Sequence, residues 1–323
     1  MANAPVPLHI RTPLLPSLAL SRLCGKPVLL KMENMQPTGS FKIRGIGRLC
    51  QEGRAQGYTH FVSSSGGNAG YAAAYAGRVL ETPVTVFVPE TTPESFREQI
   101  AAQGAEVRIS GSVWDEADQA ALAFAQTARA LYVPPFDHPA IWEGNSTLVD
   151  EVVEELGAPG AVVVSVGGGG LLCGVLSGLA RHGLETTPVL AVETEGTASL
   201  AASLQAGRLV ALDRISGIAK TLGARTVAAQ AFAWSRQRPV TSLVVSDQAA
   251  AEACVRFADD HKCLVEPACG ASLAAAYGRS ALLADSERVV IIVCGGIGVS
   301  LETLERWRDH PETLGAGAGG SLQ

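Results

Sequence analysis

The sequence predicts an α/β protein with two doubly wound parallel sheets, and four features of the 323-residue chain indicate this fold. Short runs rich in β-branched residues alternate with longer runs rich in alanine and leucine. Several of the short runs lack polar alternation, which is typical of strands buried on both faces of a parallel sheet. The composition is 47% hydrophobic and 17% charged, so the chain can bury a large core. At about 150 residues per domain, the length allows two such units.

Strands and helices are expected to alternate along the whole chain. The expected strands, taken in order, are short apolar runs at residues 28–31, 61–63, 84–88, 107–109, 162–166, 189–192, 243–245 and 289–293. A helix is expected from Lys42 onwards, and the other helices are longer runs at residues 69–80, 94–103, 113–130, 145–156, 170–181, 197–206, 247–259, 268–279 and 300–308. Strands that alternate with helices in this way are joined by right-handed crossovers, which place them parallel in a sheet.

A break between two lobes is indicated in the middle of the chain. Residues 134–139 read PPFDHP, and proline restricts both its own backbone and that of the preceding residue. One series of strands and helices precedes this stretch, and a longer series follows it. A ligand is therefore expected in a cleft between two lobes, at the carboxyl ends of the strands.

The charge balance and the cysteines exclude several classes of function. A net charge of −6 with 5% aromatic residues offers no basic surface to nucleic acid. The N-terminus has no cationic run followed by an apolar block, so a signal peptide is not expected. The uncharged stretch at 156–180 contains Pro159 and four consecutive glycines, which argue against a membrane-spanning helix. The seven cysteines include no C-x-x-C pair, which predicts reduced thiols in a cytoplasmic protein.

Lys42 is a candidate nucleophile at the start of a helix. It follows a turn-rich loop, and Ser40 is expected to cap the helix. The positive end of the helix dipole disfavours a cation at this point. If the amine is also buried, its pKa is lowered and it becomes a usable nucleophile. The alternative is an ordinary solvated lysine, and the lysine alone does not decide between the two.

Two glycine-rich loops lie between predicted strands and predicted helices. Residues 63–70 read SSSGGNAG, and residues 166–174 read VGGGGLLCG. Free backbone N–H groups at a helix N-terminus bind carboxylate or phosphate, and small residues let the ligand approach the main chain. The second loop lacks the third glycine of a dinucleotide fingerprint and the Lys-Ser/Thr pair of a Walker loop, so it predicts a site for one phosphate. The alternative for the first loop is a tight turn capped by Ser65 or Asn68.

Cysteine and glutamate side chains are further candidates for the site. Cys294 follows the last strong strand and could point into the cleft, although a packed core cysteine is the usual alternative. Glu193, Glu195 and Glu266 are candidate carboxylates, with solvated or capping roles as the alternatives. The six histidines show no ligand spacing, so zinc is not expected.

Taken together, the loops resemble those of pyridoxal-phosphate enzymes of the tryptophan-synthase-β fold type. Four motifs occur in the order and at the spacing of that family: SFKIRG at 40–45, SSGGNAG at 64–70, the glycine tetrad at 167–170 and VCGG at 293–296. Within the family the chain looks most like the serine/threonine dehydratases of the serine dehydratase branch, over residues 10–308. The resemblance implies fold type II, with the cofactor in a cleft between a small domain at 37–137 and a large domain formed by 1–36 and 138–323.

The resemblance also implies which residues hold the cofactor. Lys42 would bind it as a Schiff base and would remove the Cα proton of the substrate. Phe41 would lie against the pyridine ring, and Cys294 would face the pyridine nitrogen. The main-chain N–H groups of the tetrad would bind the phosphate, through Gly167, Gly168, Gly169 and Gly170.

Substrate and cation sites are implied in the same way. The substrate carboxylate would be held by Ser65, Gly66, Asn68 and Ala69, with Asn68 also near the 3′-oxygen of the cofactor. A monovalent cation such as K⁺ would bind near Glu193, and its other ligands would be main-chain oxygens of Gly167, Thr197, Leu222 and Ala224.

The activity that the resemblance implies is a β-elimination. A thiol at the pyridine nitrogen leaves that nitrogen largely unprotonated, so prompt loss of the β-hydroxyl is favoured. L-serine or L-threonine would then give pyruvate or 2-oxobutyrate and ammonia, in an enzyme of amino-acid catabolism that forms a homodimer. The alternatives are a serine racemase-like or other β-eliminating enzyme of this fold type, and a catalytically weak cofactor-binding regulatory protein.

Gly66 distinguishes between two of these activities. In serine racemase a serine occupies the matching position as a second acid/base, and glycine cannot transfer a proton, so racemization is not expected. A residue without a Cβ is also expected to give the carboxylate-binding loop more freedom and to lower turnover.

Overall fold

The computed structural model describes residues 6–314, which form ten β-strands and twelve α-helices. The strands are β1 Leu14–Pro16, β2 Val28–Lys31, β3 Phe61–Ser63, β4 Val84–Val88, β5 Glu106–Ile109, β6 Leu131–Tyr132, β7 Ala161–Ser165, β8 Val189–Thr194, β9 Val240–Val245 and β10 Val289–Ile292. The helices are α1 Leu18–Cys24, α2 Lys42–Ala55, α3 Asn68–Val79, α4 Glu94–Ala102, α5 Trp114–Ala128, α6 Pro139–Leu156, α7 Gly170–Arg181, α8 Ser199–Ala206, α9 Ala229–Gln237, α10 Asp247–His261, α11 Pro267–Tyr277 and α12 Leu301–Asp309. Within these described residues, no helix combines the length and the apolar character needed to span a membrane.

All ten strands belong to two sheets. The six-stranded sheet has the order β1-β2-β10-β7-β8-β9, and the four-stranded sheet has the order β5-β4-β3-β6. Every neighbouring pair is parallel except β1 and β2, which pair antiparallel at the edge of the larger sheet. The predicted α/β fold with two parallel sheets is thereby confirmed.

Both faces of the central strands are covered, which explains why these strand segments are mainly apolar. All five residues of β4 are buried, as are all five residues of β7. Val86 on β4 packs in an apolar cluster with residues of α2 and α3, whereas its neighbour Phe87 packs with the alanines of α5 on the opposite face. Because successive side chains of a strand point to opposite faces, both faces of β4 are covered by apolar side chains.

The two sheets take different parts of the chain. The four-stranded sheet is built from residues 61–132, and the six-stranded sheet is built from residues 14–31 and 161–292. Helix α6 carries the chain from the first sheet back to the second. The domain boundaries expected at 36/37 and 137/138 fall within the two connections between the sheets, and they remain a prediction.

Four short elements have no counterpart among the sequence-based predictions: β1, β6, α1 and α9. Strands β1 and β6 contain three and two residues, which is too few for an apolar run to stand out, and β1 ends with Pro16. Helix α6 begins at Pro139, earlier than the predicted residue 145, because a proline is favourable in the first turn of a helix. His138 caps this turn by accepting a hydrogen bond from the N–H of Ala140 at 3.1 Å.

The loops with the candidate residues meet at the carboxyl ends of three strands. Strands β7 and β10 are hydrogen-bonded neighbours, and they are followed by the glycine tetrad and by Cys294. Strand β3 of the other sheet is followed by the loop from 64 to 67, here called the β3–α3 loop. Asn68, directly after this loop, accepts a hydrogen bond from the N–H of Ile297 at 2.9 Å, so the segments that follow β3 and β10 are in contact.

Candidate active site

Lys42 is the first residue of α2 and projects toward the chain between β6 and α6. Its Nζ donates a hydrogen bond to the carbonyl oxygen of Pro135 at 2.6 Å, and it lies 5.4 Å from the centre of the Phe41 ring. The prediction that Ser40 caps this helix is wrong. Phe41 precedes the helix in a helical conformation, while Ser40 forms an antiparallel bridge with Gly295 and its buried Oγ has no hydrogen-bond partner within residues 6–314.

Burial shifts Lys42 toward its neutral form. It lowers the pKa of the amine from 10.5 to about 8, and the nearby Glu266 carboxyl group opposes this shift only in part. A larger fraction of the amine is therefore unprotonated near neutral pH than for a solvated lysine. Burial of the amine, which a nucleophilic lysine at this position requires, is thereby met.

Cys294 reaches the same place because its loop pairs with the segment before α2. The N–H of Phe41 donates to the carbonyl oxygen of Cys294 at 3.2 Å, and the N–H of Gly296 donates to the carbonyl oxygen of Gly39 at 2.9 Å. Cys294 is buried, and the Cys269 thiol together with burial raises the pKa of its own thiol well above the ordinary value. The group next to Lys42 is thus a neutral thiol at physiological pH.

The glycine tetrad forms a cradle at the N-terminus of α7. Gly169 has φ +88°, a conformation that side chains disfavour, and Gly170 begins the helix. A Cβ at position 168 would lie 2.3 Å from Phe136 Cγ, and one at position 170 would lie 2.6 Å from the Phe136 carbonyl oxygen. Within residues 6–314, no N–H group of the tetrad donates to a protein acceptor. Four free donors at the positive end of a helix suit a phosphate.

The β3–α3 loop and the first turn of α3 hold the residues predicted to bind a carboxylate. Ser65 and Gly66 are partly exposed, whereas Asn68 and Ala69 are buried. The Ser65 Oγ accepts a hydrogen bond from the N–H of Gly67 at 3.4 Å. A Cβ at Gly70 would lie 1.8 Å from the Ser65 carbonyl oxygen, so the turn into the helix is too tight for a side chain there.

Glu266 is the carboxylate of the site to which the sequence analysis gave no specific role. Its Oε1 accepts hydrogen bonds from Asn68 Nδ2 at 2.7 Å and from Thr221 Oγ1 at 2.5 Å, and its Oε2 accepts one from the N–H of Gly298 at 3.0 Å. Burial raises the pKa of this carboxyl group. In the sequence, the only local feature that distinguishes Glu266 is its position directly before Pro267, the first residue of α11. Glu195, the third candidate carboxylate, is exposed.

Some of the residues predicted to bind a cation are in contact with one another. Glu193 is fully buried on β8, and its two oxygens accept hydrogen bonds from the N–H groups of Leu200 and Ala201, each at 2.8 Å. Burial raises the pKa of Glu193 to about 7. The carbonyl oxygen of Leu222 lies 2.8 Å from the point where a Cβ of Gly167 would stand, which brings these two residues into contact.

The remaining members of the cation set, Thr197 and Ala224, are also buried. No group of three or more histidine, cysteine, aspartate or glutamate side chains suited to a metal occurs within residues 6–314. A cation here would therefore depend on main-chain oxygens, as the resemblance implies, and the site remains a prediction.

The residues present fit pyridoxal phosphate. The cofactor carries an aldehyde and a phosphate, and the site offers an amine with a lowered pKa and a cradle of free N–H donors that side chains would fill. Phe41 and Cys294 lie beside the amine, and they offer a flat heteroaromatic ring an aromatic face and a neutral thiol.

Comparison with known proteins agrees with this reading of the site. The family described as "Pyridoxal-phosphate dependent enzyme" matches residues 6–295. The "L-serine dehydratase/L-threonine deaminase" of Mus musculus is 50% identical over 308 residues, which cover 92% of this chain and 94% of the mouse protein. A fungal L-serine ammonia-lyase from Rhizomucor miehei superposes with a TM-score of 0.89 at 38% identity, over 94% of this chain and 99% of the fungal one. Maize serine racemase superposes with a TM-score of 0.85 at 27% identity, over 95% of this chain and 93% of the maize one.

Proposed function

The chain belongs to the family of pyridoxal-phosphate dependent enzymes, and on this premise we propose that it is an L-serine and L-threonine ammonia-lyase. The products are pyruvate from L-serine or 2-oxobutyrate from L-threonine, together with ammonia. The observation that carries the proposal is the buried amine of Lys42, which lies beside Cys294 and has a pKa lowered to about 8. A relative of 50% identity that is named for both substrates supports the choice of L-serine and L-threonine.

Lys42 is the proposed base of the reaction. When bound, pyridoxal phosphate supplies the electron sink that makes the Cα proton of an amino acid removable. The neutral Nζ of Lys42 takes that proton, and its hydrogen bond to the Pro135 carbonyl oxygen orients it. Proton transfer by a positioned group of this kind contributes about 10²–10⁴-fold to the rate.

Other groups hold the cofactor without adding charge. The N–H groups of residues 167–170 are proposed to bind its phosphate at the N-terminus of α7, where the helix dipole favours an anion. Phe41, whose ring centre lies 5.4 Å from the Lys42 Nζ, would pack against one face of the cofactor ring. Cys294 keeps its proton because its pKa is raised, so it would offer the ring nitrogen a neutral thiol instead of a carboxylate.

The substrate carboxylate is proposed to bind at the β3–α3 loop and the first turn of α3. The backbone N–H groups of this segment and the hydroxyl of Ser65 are its donors, and the amide of Asn68 adds a second hydrogen that its bond to Glu266 does not use. In this position the substrate carboxylate would contact Gly66 and Ala69. L-serine and L-threonine differ by one methyl group, which changes binding by only about 1–3 kcal/mol.

The experiment that tests the proposal is release of 2-oxo acid from L-serine and L-threonine in the presence of K⁺. Wild-type protein is compared with Lys42→Ala and with Lys262→Asn, which removes an exposed lysine at a left-handed position that asparagine accepts. We expect product from the wild type and from Lys262→Asn, and none from Lys42→Ala.

Two other results would count against the proposal. Equal product from Lys42→Ala would mean that another group is the base. Bound cofactor in the visible spectrum with no product from either substrate would instead favour a regulatory protein that retains the cofactor.

Three finer features are part of the same proposal. A K⁺ ion binds near the Glu193 carboxylate, with main-chain oxygens of Gly167, Thr197, Leu222 and Ala224, and its replacement by tetramethylammonium lowers activity.

The protein is a homodimer, because closed two-fold assemblies are the commonest, and light scattering after gel filtration measures its mass. It acts in amino-acid catabolism in the cytoplasm, as its seven free cysteines suggest.

A further inference from the structure

Gly66 in the β3–α3 loop faces the side chain of Thr92. A Cβ built on Gly66 would lie 2.6 Å from Thr92 Cγ2, 2.7 Å from Thr92 Oγ1 and 3.3 Å from Thr92 Cβ. Thr92 is buried in the turn before α4, where its N–H donates to the carbonyl oxygen of Pro89 at 3.0 Å. Thr92 therefore fills the space that a side chain at position 66 would need, and the freedom expected of a glycine there is curtailed.

Backbone conformation does not require glycine at position 66. Gly66 is not among the described residues with positive φ, and its neighbour Gly67 has φ −120°. The sign of φ at Gly66 is therefore no obstacle to an alanine. Contact with Thr92 is consequently the feature of the structure that excludes a side chain at this position.

Threonine cannot relieve this contact by rotating about χ1. Its Cβ has three staggered positions, and two heavy atoms must occupy two of them. The two positions now taken by Cγ2 and Oγ1 both face Gly66, so every staggered rotamer leaves at least one heavy atom there. Serine has a single Oγ, which can turn to the third position, whereas valine has two methyl groups and meets the same obstacle as threonine.

The segment that carries Thr92 also contacts the other side of the cleft. Phe96, in the first turn of α4, has its Cζ 3.2 Å from the point where a Cβ of Gly298 would stand. The N–H of Gly298 donates to Glu266, which in turn accepts a hydrogen bond from Asn68. Residues 92–96 thus pack against the β3–α3 loop and against the loop that follows Cys294.

We propose that Thr92 is a positioning residue for substrate binding, which holds the β3–α3 loop at the distance from the cofactor that the substrate carboxylate requires. The proposal rests on the proposed function, since it concerns the loop to which that function assigns the carboxylate. The side chain of Thr92, which lies outside the loop, fills the space that a side chain at position 66 of the loop would otherwise fill. The identity of residue 66 and that of residue 92 are accordingly coupled.

The test is a set of single and double variants at positions 66 and 92. Their effects on the KM for L-serine are expected to be non-additive. Gly66→Ala pushes the loop against Thr92, and we expect its KM for L-serine to rise about 10- to 100-fold. Adding Thr92→Ser to Gly66→Ala removes the obstacle, so the double variant recovers most of this loss. Adding Thr92→Val keeps the obstacle, and this matched control stays as weak as Gly66→Ala. Recovery in both double variants, or in neither, overturns the proposal.

A binding measurement separates this proposal from the proposed function. Glycine has a carboxylate and an amine but no β-hydroxyl to lose, and its dissociation constant is measured from the absorbance of the bound cofactor. The constants are expected to follow the same order as the KM values, with the cofactor spectrum of the free enzymes unchanged. If the wild type releases no 2-oxo acid but glycine binding follows this order, the proposed function fails and the role of Thr92 stands.

Thr92→Ala keeps the proposal testable if Gly66→Ala does not fold. This single variant removes both atoms that face Gly66 and leaves the loop without its support. We expect the glycine dissociation constant to rise several-fold while the cofactor stays bound. An unchanged constant for Thr92→Ala would overturn the proposal even if every variant at position 66 were insoluble.

Discussion

Arg44 and Glu33 form a forked ion pair in which neither side chain is exposed: Nε lies 2.7 Å from Oε2, and Nη2 lies 2.8 Å from Oε1. Arg44 also donates to both oxygens of Glu151, and Lys31 pairs with the same carboxylate. These four residues, the buried charge cluster, balance two cations with two anions. Arg44 is two residues after Lys42, while Glu33 follows β2 and Glu151 lies on α6, so the cluster fixes the start of α2 against the larger sheet.

Loss of one member of the buried charge cluster is expected to destabilise the fold strongly. Arg44→Met leaves two buried carboxylates opposite one lysine, and we expect the free energy of unfolding to fall by about 3–5 kcal/mol. The control is Glu52→Gln, which breaks the exposed pair of Arg48 and Glu52 on the same helix and should cost about 0.5 kcal/mol or less. Urea unfolding of the cofactor-free proteins measures both changes. Similar losses in the two variants would show that the cluster is not a stabilising unit.

Local sequence patterns were sufficient to predict eight of the ten described strands and the principal loops. Strands β7 and β10 are buried on both faces, so each of them requires a nearly continuous run of apolar, β-branched residues. Such a run is directly recognisable in the sequence. Four glycines between a strand and a helix are an equally direct signal, since they cost backbone entropy that a positive φ or a close approach explains.

Contacts between residues that are distant in the sequence produce no such local pattern. They account for the features of the site that the sequence did not predict. Ser40 does not cap α2 because it pairs with Gly295, and the bond between Asn68 and Glu266 joins the two sides of the cleft. The exclusion of a side chain at position 66 depends on Thr92, which no local pattern connects with it. Each of these partners is found only when the fold has brought the two segments together.

Stability of the cofactor-free protein is expected to depend on pH through Lys42. Its pKa is lowered from 10.5 to about 8 in the folded chain, so between these values the unfolded chain binds more protons at this residue. The free energy of unfolding contributed by Lys42 therefore rises as the pH goes from about 8 to 10.5, by up to about 1.4 kcal/mol per pH unit. Below about pH 8, the full cost of burying the charge is present. The measurement compares wild type with Lys42→Met, and a difference that is independent of pH contradicts the assignment.

The glycine tetrad is expected to lose its affinity for the cofactor when one Cβ is added. In Gly168→Ala the new Cβ would stand 2.3 Å from the ring of Phe136, so the cradle must shift away from the phosphate. We expect the dissociation constant for pyridoxal phosphate to rise at least about tenfold, or about 1.4 kcal/mol. Gly47→Ala on α2 is the control, because its nearest contact is 3.2 Å from Leu8 Cβ. Absorbance titration of the cofactor-free proteins measures both constants, and equal values would exclude the tetrad as the phosphate site.

Racemization of serine is expected to be negligible, although the fold itself permits it, as the likeness to maize serine racemase indicates. Inversion at Cα requires an acid/base on each face of the cofactor. Lys42 provides one such group, and Gly66 has no side chain that could provide the other. L-serine should therefore yield pyruvate without D-serine, and D-serine should yield no pyruvate, as chiral chromatography of timed samples will measure. Accumulation of D-serine at a rate comparable to that of pyruvate would require a second proton donor in the cleft.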